Sequence, residues 1–349
     1  MKSLAQIEPR LPISSAPFTI SAPGSYYLTT NLTVSSANAI TISANNVTLD
    51  LGGFTIASTA PAASGAAIFL GTVTNVAIHN GYISSGVTNS NSGVFGGSGF
   101  SYGIADFGSY LFNARVKDVS VEGVLTVGIS LGIGTSSVVE ACTVNVAGGT
   151  GIYADSVSDS TAMNCGSYAI NAGTTHNCTG YGVGSGNGIN AITANDCLGN
   201  SSGGGNGLTA NTANNCNGSS SGSGTGLSAN TANNCNGSSS TGIGLYGGYS
   251  ATGCYGNTSS GNYGLYTSTA NNCYGNNAGS GAGLVATTAN NCSGNNSASG
   301  TGLYASAVAT SCYGFSSSGT GLNAFIANVC HGVSTTGTAI STSHNVNSY

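Results

Sequence analysis

The chain has 349 residues, a formal net charge of -5 at pH 7 and only 4% charged residues, against 57 glycines. Residues 197–349 contain no Asp, Glu, Lys or Arg, and a surface without cations cannot bind phosphate backbones by counterion release, so we expect no nucleic-acid partner. No apolar run approaches the roughly 20 residues that a transmembrane helix needs, so we also expect no membrane span. A composition dominated by Gly, Ser, Asn and Thr is typical of disordered segments or flexible linkers, but Leu, Ala and Cys recur at fixed phases, which indicates an ordered fold.

The N-terminal part predicts a lead-in followed by short strands. Residues 1–16 form the predicted lead-in or N-terminal cap, with one helical turn over residues 3–8 that Pro9 and Pro12 would stop. The strands that follow alternate and are rich in β-branched and aromatic residues. They are predicted at residues 18–20, 26–28, 32–34, 40–42 and 47–51.

Residues 17–165 predict an irregular part of a stacked β-array. A phrase of Gly or Ala followed by Ile or Leu marks each coil, beginning at Ala67-Ile68 and returning at Gly103-Ile104 and Gly128-Ile129. The first two of these marks lie unusually far apart. We therefore expect residues 85–102 to form an excursion or an extra rung.

Residues 166–349 repeat with a period of 19 residues. Nine cysteines carry the repeat, with six spacings of 19 followed by one of 20 and one of 18. A fixed period of about 20 residues predicts a stacked array in which each coil contacts mainly its neighbours. The predicted structural cysteine ladder comprises Cys178, Cys197, Cys216, Cys235, Cys254, Cys273, Cys292, Cys312 and Cys330.

The opening strands resemble those of bacterial right-handed parallel β-helix repeat proteins. The similar segments are residues 7–10, 17–20, 23–28, 31–33, 46–54 and 75–83, and the later Asn-Cys-x-Gly coils are similar as well. The resemblance covers nearly the whole chain and implies a pectate-lyase-like β-solenoid that is usually exported. It does not imply one activity, because a fold does not fix a function.

The predicted fold is therefore all-β, a right-handed parallel β-helix of about 15 coils. The N-terminal coils are irregular and have about 22 residues each, and the C-terminal coils have the 19-residue period. In each regular coil we expect Leu, Ala and Cys inside and Thr, Asn and Tyr outside. Corner positions are taken by asparagines that tolerate a left-handed backbone. These are Asn215, Asn234, Asn272 and Asn291, which complete the predicted structural ladder.

The cysteine ladder could be a metal track, a redox chain, a set of disulfides or a file of small buried side chains. Neighbouring rungs lie within the Cα separation that a disulfide allows, but in-register side chains point the same way. Zinc would need Cys and His converging at tetrahedral spacing, which the sequence lacks. We favour the small buried side chain and predict neither a metal nor a cofactor.

Two outward surfaces are candidate binding faces. The first is a flat file of threonines and asparagines that resembles the surface of β-solenoid ice-binding proteins, with breaks at Ser250 and Thr252 and at Val308 and Thr310. Its residues are Thr212, Asn214, Thr231, Asn233, Thr269, Asn271, Thr288 and Asn290. The second consists of tyrosines that could stack on sugars or on a neighbouring solenoid, or could simply support the sheet by cross-strand packing. Its residues are Tyr246, Tyr266 and Tyr304, with a second file at Tyr255, Tyr274 and Tyr313.

The carboxylates do not form a recognisable catalytic set. Glycoside hydrolysis needs a pair of carboxylates, and a lyase needs a base with stabilising cations. Neither polygalacturonase nor pectate lyase motifs occur among the candidates, which are Asp50, Asp106, Asp118, Glu122, Glu140, Asp155, Asp159 and Asp196. We read them as turn residues and solvated charges, the four histidines as non-catalytic, and the protein as not an enzyme.

The leading hypothesis is a non-catalytic, extracellular or cell-surface structural solenoid that associates with itself end to end or laterally, as a fibre component. A charge-free half lacks the usual electrostatic defence against association. Residues 1–20 lack the apolar core of a signal peptide, so another export route or a removed leader is expected. The alternatives are a polysaccharide-active or polysaccharide-binding protein, with any site within residues 50–196, and an ice-binding protein.

Overall fold

The computed structural model describes residues 10–90, 93–106 and 111–349, and this part of the chain contains strands and no helix. It is a parallel β-solenoid of about 17 turns, which confirms the predicted class. The predicted number of about 15 coils is too low, because the repeated phrase starts at Ala67 and omits the turns built before it. The helical turn predicted over residues 3–8 lies outside the described residues.

The chain forms two compact units, Met1–Val183 and Gly184–Tyr349. The strands of the first unit are β1 (Leu11–Ile13), β2 (Phe18–Ile20), β3 (Gly24–Leu28), β4 (Leu32–Val34), β5 (Ile40–Ile42), β6 (Val47–Asp50), β7 (Thr55–Ser58), β8 (Ala66–Leu70), β9 (Thr74–Ser84), β10 (Gly86–Asn89), β11 (Phe95–Ser98), β12 (Tyr102–Asp106), β13 (Phe112–Val124), β14 (Val127–Gly132), β15 (Val138–Glu140), β16 (Thr143–Ala147), β17 (Ile152–Ser158), β18 (Thr161–Cys165), β19 (Tyr168–His176) and β20 (Thr179–Gly182).

The strands of the second unit are β21 (Asn187–Asn195), β22 (Leu198–Ser201), β23 (Leu208–Asn214), β24 (Asn217–Ser220), β25 (Leu227–Asn233), β26 (Asn236–Ser239), β27 (Leu245–Thr252), β28 (Tyr255–Thr258), β29 (Tyr263–Asn271), β30 (Tyr274–Asn277), β31 (Ala282–Asn290), β32 (Ser293–Asn296), β33 (Leu303–Thr310), β34 (Tyr313–Ser316), β35 (Thr320–Asn328), β36 (His331–Ser334) and β37 (Thr338–Val346).

In the first unit, parallel pairing between successive turns holds the irregular coils together. Ile20 pairs with Ile42, and Ile40 pairs with Ile68, so branched aliphatic side chains stack in the core. Residues 86–89 and 95–98 leave this pattern, because β10 and β11 pair in an antiparallel arrangement. Of the two structures expected around residues 85–102, the chain therefore adopts the excursion.

In the second unit the register is nearly constant from rung to rung. Leu208 pairs with Leu227, and Ala213 pairs with Ala232. The register shifts between Gly247 and Ser250 and between Ala305 and Val308. These two bulges each add a residue at one corner without disturbing the neighbouring columns.

The core of the second unit is built from Leu, Ala and Cys, as the repeat predicts. Leu208 and Ala213 have no exposed surface, and Cys216 is 2% exposed. In another part of the coil, glycine determines how closely neighbouring backbone segments approach each other. A Cβ on Gly218 would lie 2.8 Å from the carbonyl carbon of Gly226, so at this level backbone packs directly on backbone and only glycine fits.

A file of buried polar side chains also faces inward, and the sequence reasoning missed it. Each member lies four residues after a cysteine of the ladder. The Ser220 hydroxyl donates to the Gly205 carbonyl at 2.9 Å, and the Asn277 amide donates to the Gly261 carbonyl at 2.8 Å. These bonds close each coil by satisfying carbonyls of the glycine-rich loop. The buried members are Ser201, Ser220, Ser239, Thr258, Asn277, Asn296 and Ser316.

Candidate functional site

The corner asparagines form the ladder that the repeat predicts. Asn215, Asn234, Asn272 and Asn291 all have left-handed backbones, with φ between 51° and 53°. The Asn291 amide donates to the Asn272 side-chain oxygen at 2.7 Å. Gly253 takes the corner between Asn234 and Asn272, also at positive φ. The ladder is therefore a structural feature of the corner, since each amide bonds to the rung beside it.

The Thr-x-Asn face lies on the outside of the second unit, as predicted. Thr212 pairs with Thr231, and Asn214 pairs with Asn233, while Ala213 between them is buried. The Asn233 amide donates to the Asn214 oxygen at 2.9 Å. Because the asparagine amides bond to one another along the file, the threonine hydroxyls are the groups this face offers to a partner.

The first of the two bulges interrupts this face and exposes an aromatic ring. Ser250 stands in the threonine file between Thr231 and Thr269, and the extra residue beside it turns Tyr249 outward with 71% of its surface exposed. The second bulge places Val308 in the same file. The predicted breaks at Ser250 and Val308 thus each follow directly after a bulge.

All eleven cysteines of the chain are buried thiols. The Cys216 thiol lies 3.4 Å from the Ala194 carbonyl oxygen of the preceding rung and 3.2 Å from the Asn214 carbonyl oxygen. Burial raises the pKa of Cys142 to about 12, and burial raises the pKa of Cys165 to about 12. Cys142 and Cys165 are therefore protonated, and the nine ladder cysteines pack in the core as small buried side chains.

The first tyrosine file contains a stacked pair. The rings of Tyr246 and Tyr266 are 5.6 Å apart at 4°, and Val285 separates this pair from Tyr304 in the register. The rings of Tyr263 and Tyr266 also touch, at 5.2 Å. Such offset stacking stabilises a sheet by itself.

The second aromatic file lies on the outer side of the short strands that directly follow the ladder cysteines, such as β28 and β30. The rings of Tyr255 and Tyr274 are 5.4 Å apart at 5°. Further along, Tyr313 meets His331 edge-on at 5.5 Å, and His331 meets Tyr349 at 4.9 Å. The sequence identified the three tyrosines of this file but not its continuation through His331 and Tyr349.

Most of the candidate carboxylates have structural partners. Asp118, Asp159 and Asp196 have left-handed backbones at the same kind of corner as the asparagines, and the Asn177 amide donates to Asp159 at 2.7 Å. Glu122 accepts two bonds from the Asn145 amide, at 2.8 and 3.0 Å. Aspartate thus replaces asparagine as a corner residue in several coils.

Asp155 anchors a loop in the first unit. Its carboxylate accepts backbone N–H groups from Gly134, from Thr135 at 2.7 Å and from Ser137 at 3.0 Å. Burial alone would raise the pKa of Asp155, but the N–H donors together outweigh burial and hold the pKa below its ordinary value. This carboxylate is committed to the fold of residues 132–137.

One column of charged and titratable residues crosses successive turns of the first unit. In register it runs through Asp50, His79, Lys117 and Glu140. Arg10 bonds to Asp50 at 3.0 Å, and Lys117 bonds to Glu140 at 2.7 Å. The hydrogen bond and the charge of Glu140 raise the pKa of Lys117.

A groove of about 240 Å³ lies on this column. Its polar lining consists of His79, Arg115, Lys117 and Glu140. Arg115 and Lys117 alternate on β13 and point to the same side, since Val116 between them is buried. Among the described residues, this groove places three charged side chains and one histidine side by side.

The described residues contain no group of three or more His, Cys, Asp or Glu side chains that could hold a metal ion. They also contain no helix long and apolar enough to cross a membrane.

No protein-family model, no curated protein and no solved structure matches this chain.

Proposed function

We propose that the protein is a non-catalytic structural β-solenoid of the extracellular space or cell surface, which associates with itself laterally as part of a fibre. The observation that carries the proposal is the outer surface of the second unit. It consists of side chains in register from rung to rung, and no Asp, Glu, Lys or Arg follows Asp196 in the sequence. Like-charge repulsion, which keeps most soluble proteins apart, is therefore weak on this surface.

Exposed apolar side chains support association through the same unit. Ile192 is 56% exposed, Tyr249 is 71% exposed and Phe325 is 52% exposed. All three lie at the corner that precedes the Thr-x-Asn face, in line with Asn211 and Asn230 of the intervening coils. A regular, uncharged face bordered by apolar side chains is the kind of surface that proteins bury against a partner.

Placing charge at this corner tests the proposal. Asn211→Lys with Asn230→Lys would add two adjacent positive charges to an exposed column, and we expect the double variant to stay monomeric where the unmodified protein gains mass with concentration. Analytical ultracentrifugation and electron microscopy measure this. Thr33→Lys with Ser36→Lys is the matched control, since it adds the same charge to exposed positions of the first unit. An unmodified protein that stays monomeric at all concentrations would contradict the proposal.

A second candidate function is binding of an acidic polysaccharide by the first unit. The groove at His79, Arg115 and Lys117 favours it, because a guanidinium can bind a carboxylate through two parallel hydrogen bonds. Polygalacturonate should bind the protein in low salt and lose at least tenfold affinity in Arg115→Gln. Arg10→Gln is the control, because Arg10 bonds to Asp50 instead. The same samples should be assayed for unsaturated products, whose appearance would indicate a lyase.

A further inference from the structure

One rung of the second aromatic file carries serine in place of an aromatic ring. In register the file reads Tyr255, Tyr274, Ser293, Tyr313 and His331. Between Tyr255 and His331, every rung except that of Ser293 contributes a ring to the outer side of this sheet. The file is therefore divided into two aromatic stretches that face each other across one rung.

The rings on both sides of Ser293 are held by contacts on their far sides. Tyr274 stacks on Tyr255 at 5.4 Å, and Tyr313 meets His331 at 5.5 Å. Tyr274 is half-buried, and burial raises its pKa, with smaller contributions from the phenols of Tyr255 and Tyr313. Tyr274 and Tyr313 are thus both held in position by neighbouring side chains of the protein.

A groove of about 580 Å³ opens at this point. Its lining includes Tyr274 and Tyr313 as walls, with Asn291, Ser293 and Ser311 supplying amide and hydroxyl groups. His331 and Tyr349 extend the aromatic surface at one end. Two aromatic side chains with a few convergent polar groups are typical of a binding site for a small ring-shaped ligand.

The separation of the walls indicates the thickness of the ligand. Two rungs of a parallel sheet span about 9.6 Å, whereas a flat aromatic ring sandwiched at ordinary carbon–carbon contact needs only about 7 to 8 Å. A puckered saturated ring is thicker and fills the separation better. Its C–H groups can pack on the ring faces, and its hydroxyls can bond to the Ser293, Ser311 and Asn291 side chains.

We propose that the groove between Tyr274 and Tyr313 binds the pyranose ring of a neutral sugar. The ligand is neutral because residues 197–349 offer no charged side chain to pair with a carboxylate or an amine. Hydroxyl and amide groups suit an uncharged polyol, and the open groove suits one unit of a longer glycan. This site is separate from the uncharged corner of the self-association proposal and from the arginine groove of the first unit.

The test uses a substitution that completes the aromatic file. Ser293→Tyr places at this rung the side chain found at the equivalent positions 255, 274 and 313, so it should fold and should fill the groove. Isothermal titration calorimetry with cellohexaose, mannohexaose and laminarihexaose should show binding of at least one probe by the full chain. Ser293→Tyr should weaken that binding at least tenfold, and Tyr274→Ala should do the same by removing a wall. Ser293→Ala, which keeps the groove open, should retain binding within about threefold.

Folding of each variant is checked by circular dichroism and by the urea midpoint, which Ser293→Tyr should leave unchanged or raise because it adds two stacking contacts. The proposal is overturned if no neutral probe binds at millimolar concentration. It is also overturned if folded Ser293→Tyr binds the probe as tightly as the unmodified protein. A third overturning result is that Ser293→Tyr changes only the sedimentation mass, which would make the groove a contact between copies. Binding of polygalacturonate leaves these readouts unaffected, because that candidate site lies in the first unit.

Discussion

At the residue scale, the corner positions explain why so many asparagines and several aspartates occur at one phase. A left-handed backbone costs most side chains roughly 1–2 kcal/mol, and Asn and Asp tolerate it best after glycine. Asp159 and Asn215 occupy equivalent corners, and each bonds to the side chain of a neighbouring rung. A carboxylate at such a corner has the same structural role as an amide, which is to bond to the neighbouring rung. Its presence is therefore not a sign of acid–base chemistry.

Asp155 differs, because its ionised form is built into the fold. Its folded-state pKa lies below the ordinary value, whereas in the unfolded chain an aspartate has a pKa of about 3.9. The stabilisation is therefore present above the unfolded-state pKa and is lost as pH falls through the folded-state pKa. Acid should loosen the loop at residues 132–137 before it affects uncharged parts of the chain.

Asp155→Asn should lower the free energy of unfolding at pH 7 by about 1 kcal/mol, because a neutral amide is a weaker acceptor for three N–H groups and the site is partly solvated. The difference from the unmodified protein should shrink below about pH 4. Urea titrations at pH 7, 5 and 3 measure both effects. Asp159→Asn is the control and should leave the free energy of unfolding at pH 7 nearly unchanged, since asparagine is the usual corner residue. Equal losses in the two variants would contradict the role given to Asp155.

Among single residues, the inward Leu, Ala and Cys could be predicted because hydrophobic phase is a direct signal of burial. The buried file that includes Ser220 could not be recognised in the same way, because a run of Ser, Gly and Asn has the composition of a loop. The signal that was present is positional. From Cys197 onward, every cysteine of the ladder is followed four residues later by Ser, Thr or Asn, and such constancy in a repeat indicates a side chain with a fixed partner.

At the scale of the elements, the coil is narrow where backbone segments of two neighbouring turns are in contact without side chains between them. Gly218 of β24 lies against Gly226 and Leu227 of the next turn. Glycine at this position lets β24 come close to the backbone of the next turn, and this close contact keeps the interior of the coil small. The strands themselves were predictable from alternation, but the contact between glycines was not, because it joins positions that have no side-chain pattern to read.

Gly218→Ala should destabilise the second unit by several kcal/mol or prevent its folding, since the new Cβ would overlap backbone atoms that cannot move aside. Gly204→Ala is the matched control, because a Cβ there meets nothing nearer than the Ser223 hydroxyl at 3.7 Å. That variant should be neutral or more stable by about 0.4–1 kcal/mol, through the lower entropy of its unfolded chain. Thermal unfolding followed by circular dichroism compares the two. Similar melting temperatures would show that the contact at Gly218 can relax.

At the scale of the whole molecule, every thiol is placed in the core. Alkylation with iodoacetamide at pH 8 should therefore label none of the eleven cysteines of the folded protein, since burial both blocks the reagent and disfavours the thiolate. After denaturation in urea, mass spectrometry should find eleven labels. Labelling of the folded protein, or fewer than eleven labels after denaturation, would show that some cysteines are exposed or cross-linked.

The class of the fold was predictable across the whole chain because a stacked architecture repeats its signal in every coil. The number of turns was not, since the earliest coils lack the repeated phrase that served for counting. The candidate sites were harder still. The phase of the repeat alone was enough to assign each tyrosine file to the outer surface. The groove at Ser293 depends in addition on which rungs carry a ring and on how the neighbouring rings are held.

Translational equivalence of the coils has a consequence for the length of the chain. Leu208 and Leu227 occupy the same position one rung apart, as do Asn214 and Asn233. Removing residues 208–226 would join Gly207 to Leu227, which reproduces the junction already present between Gly226 and Leu227. Duplication of the same segment is equally neutral for the local geometry. A change by one whole coil therefore leaves every remaining residue in its own column, so the second unit can be made longer or shorter without altering the packing of the other rungs.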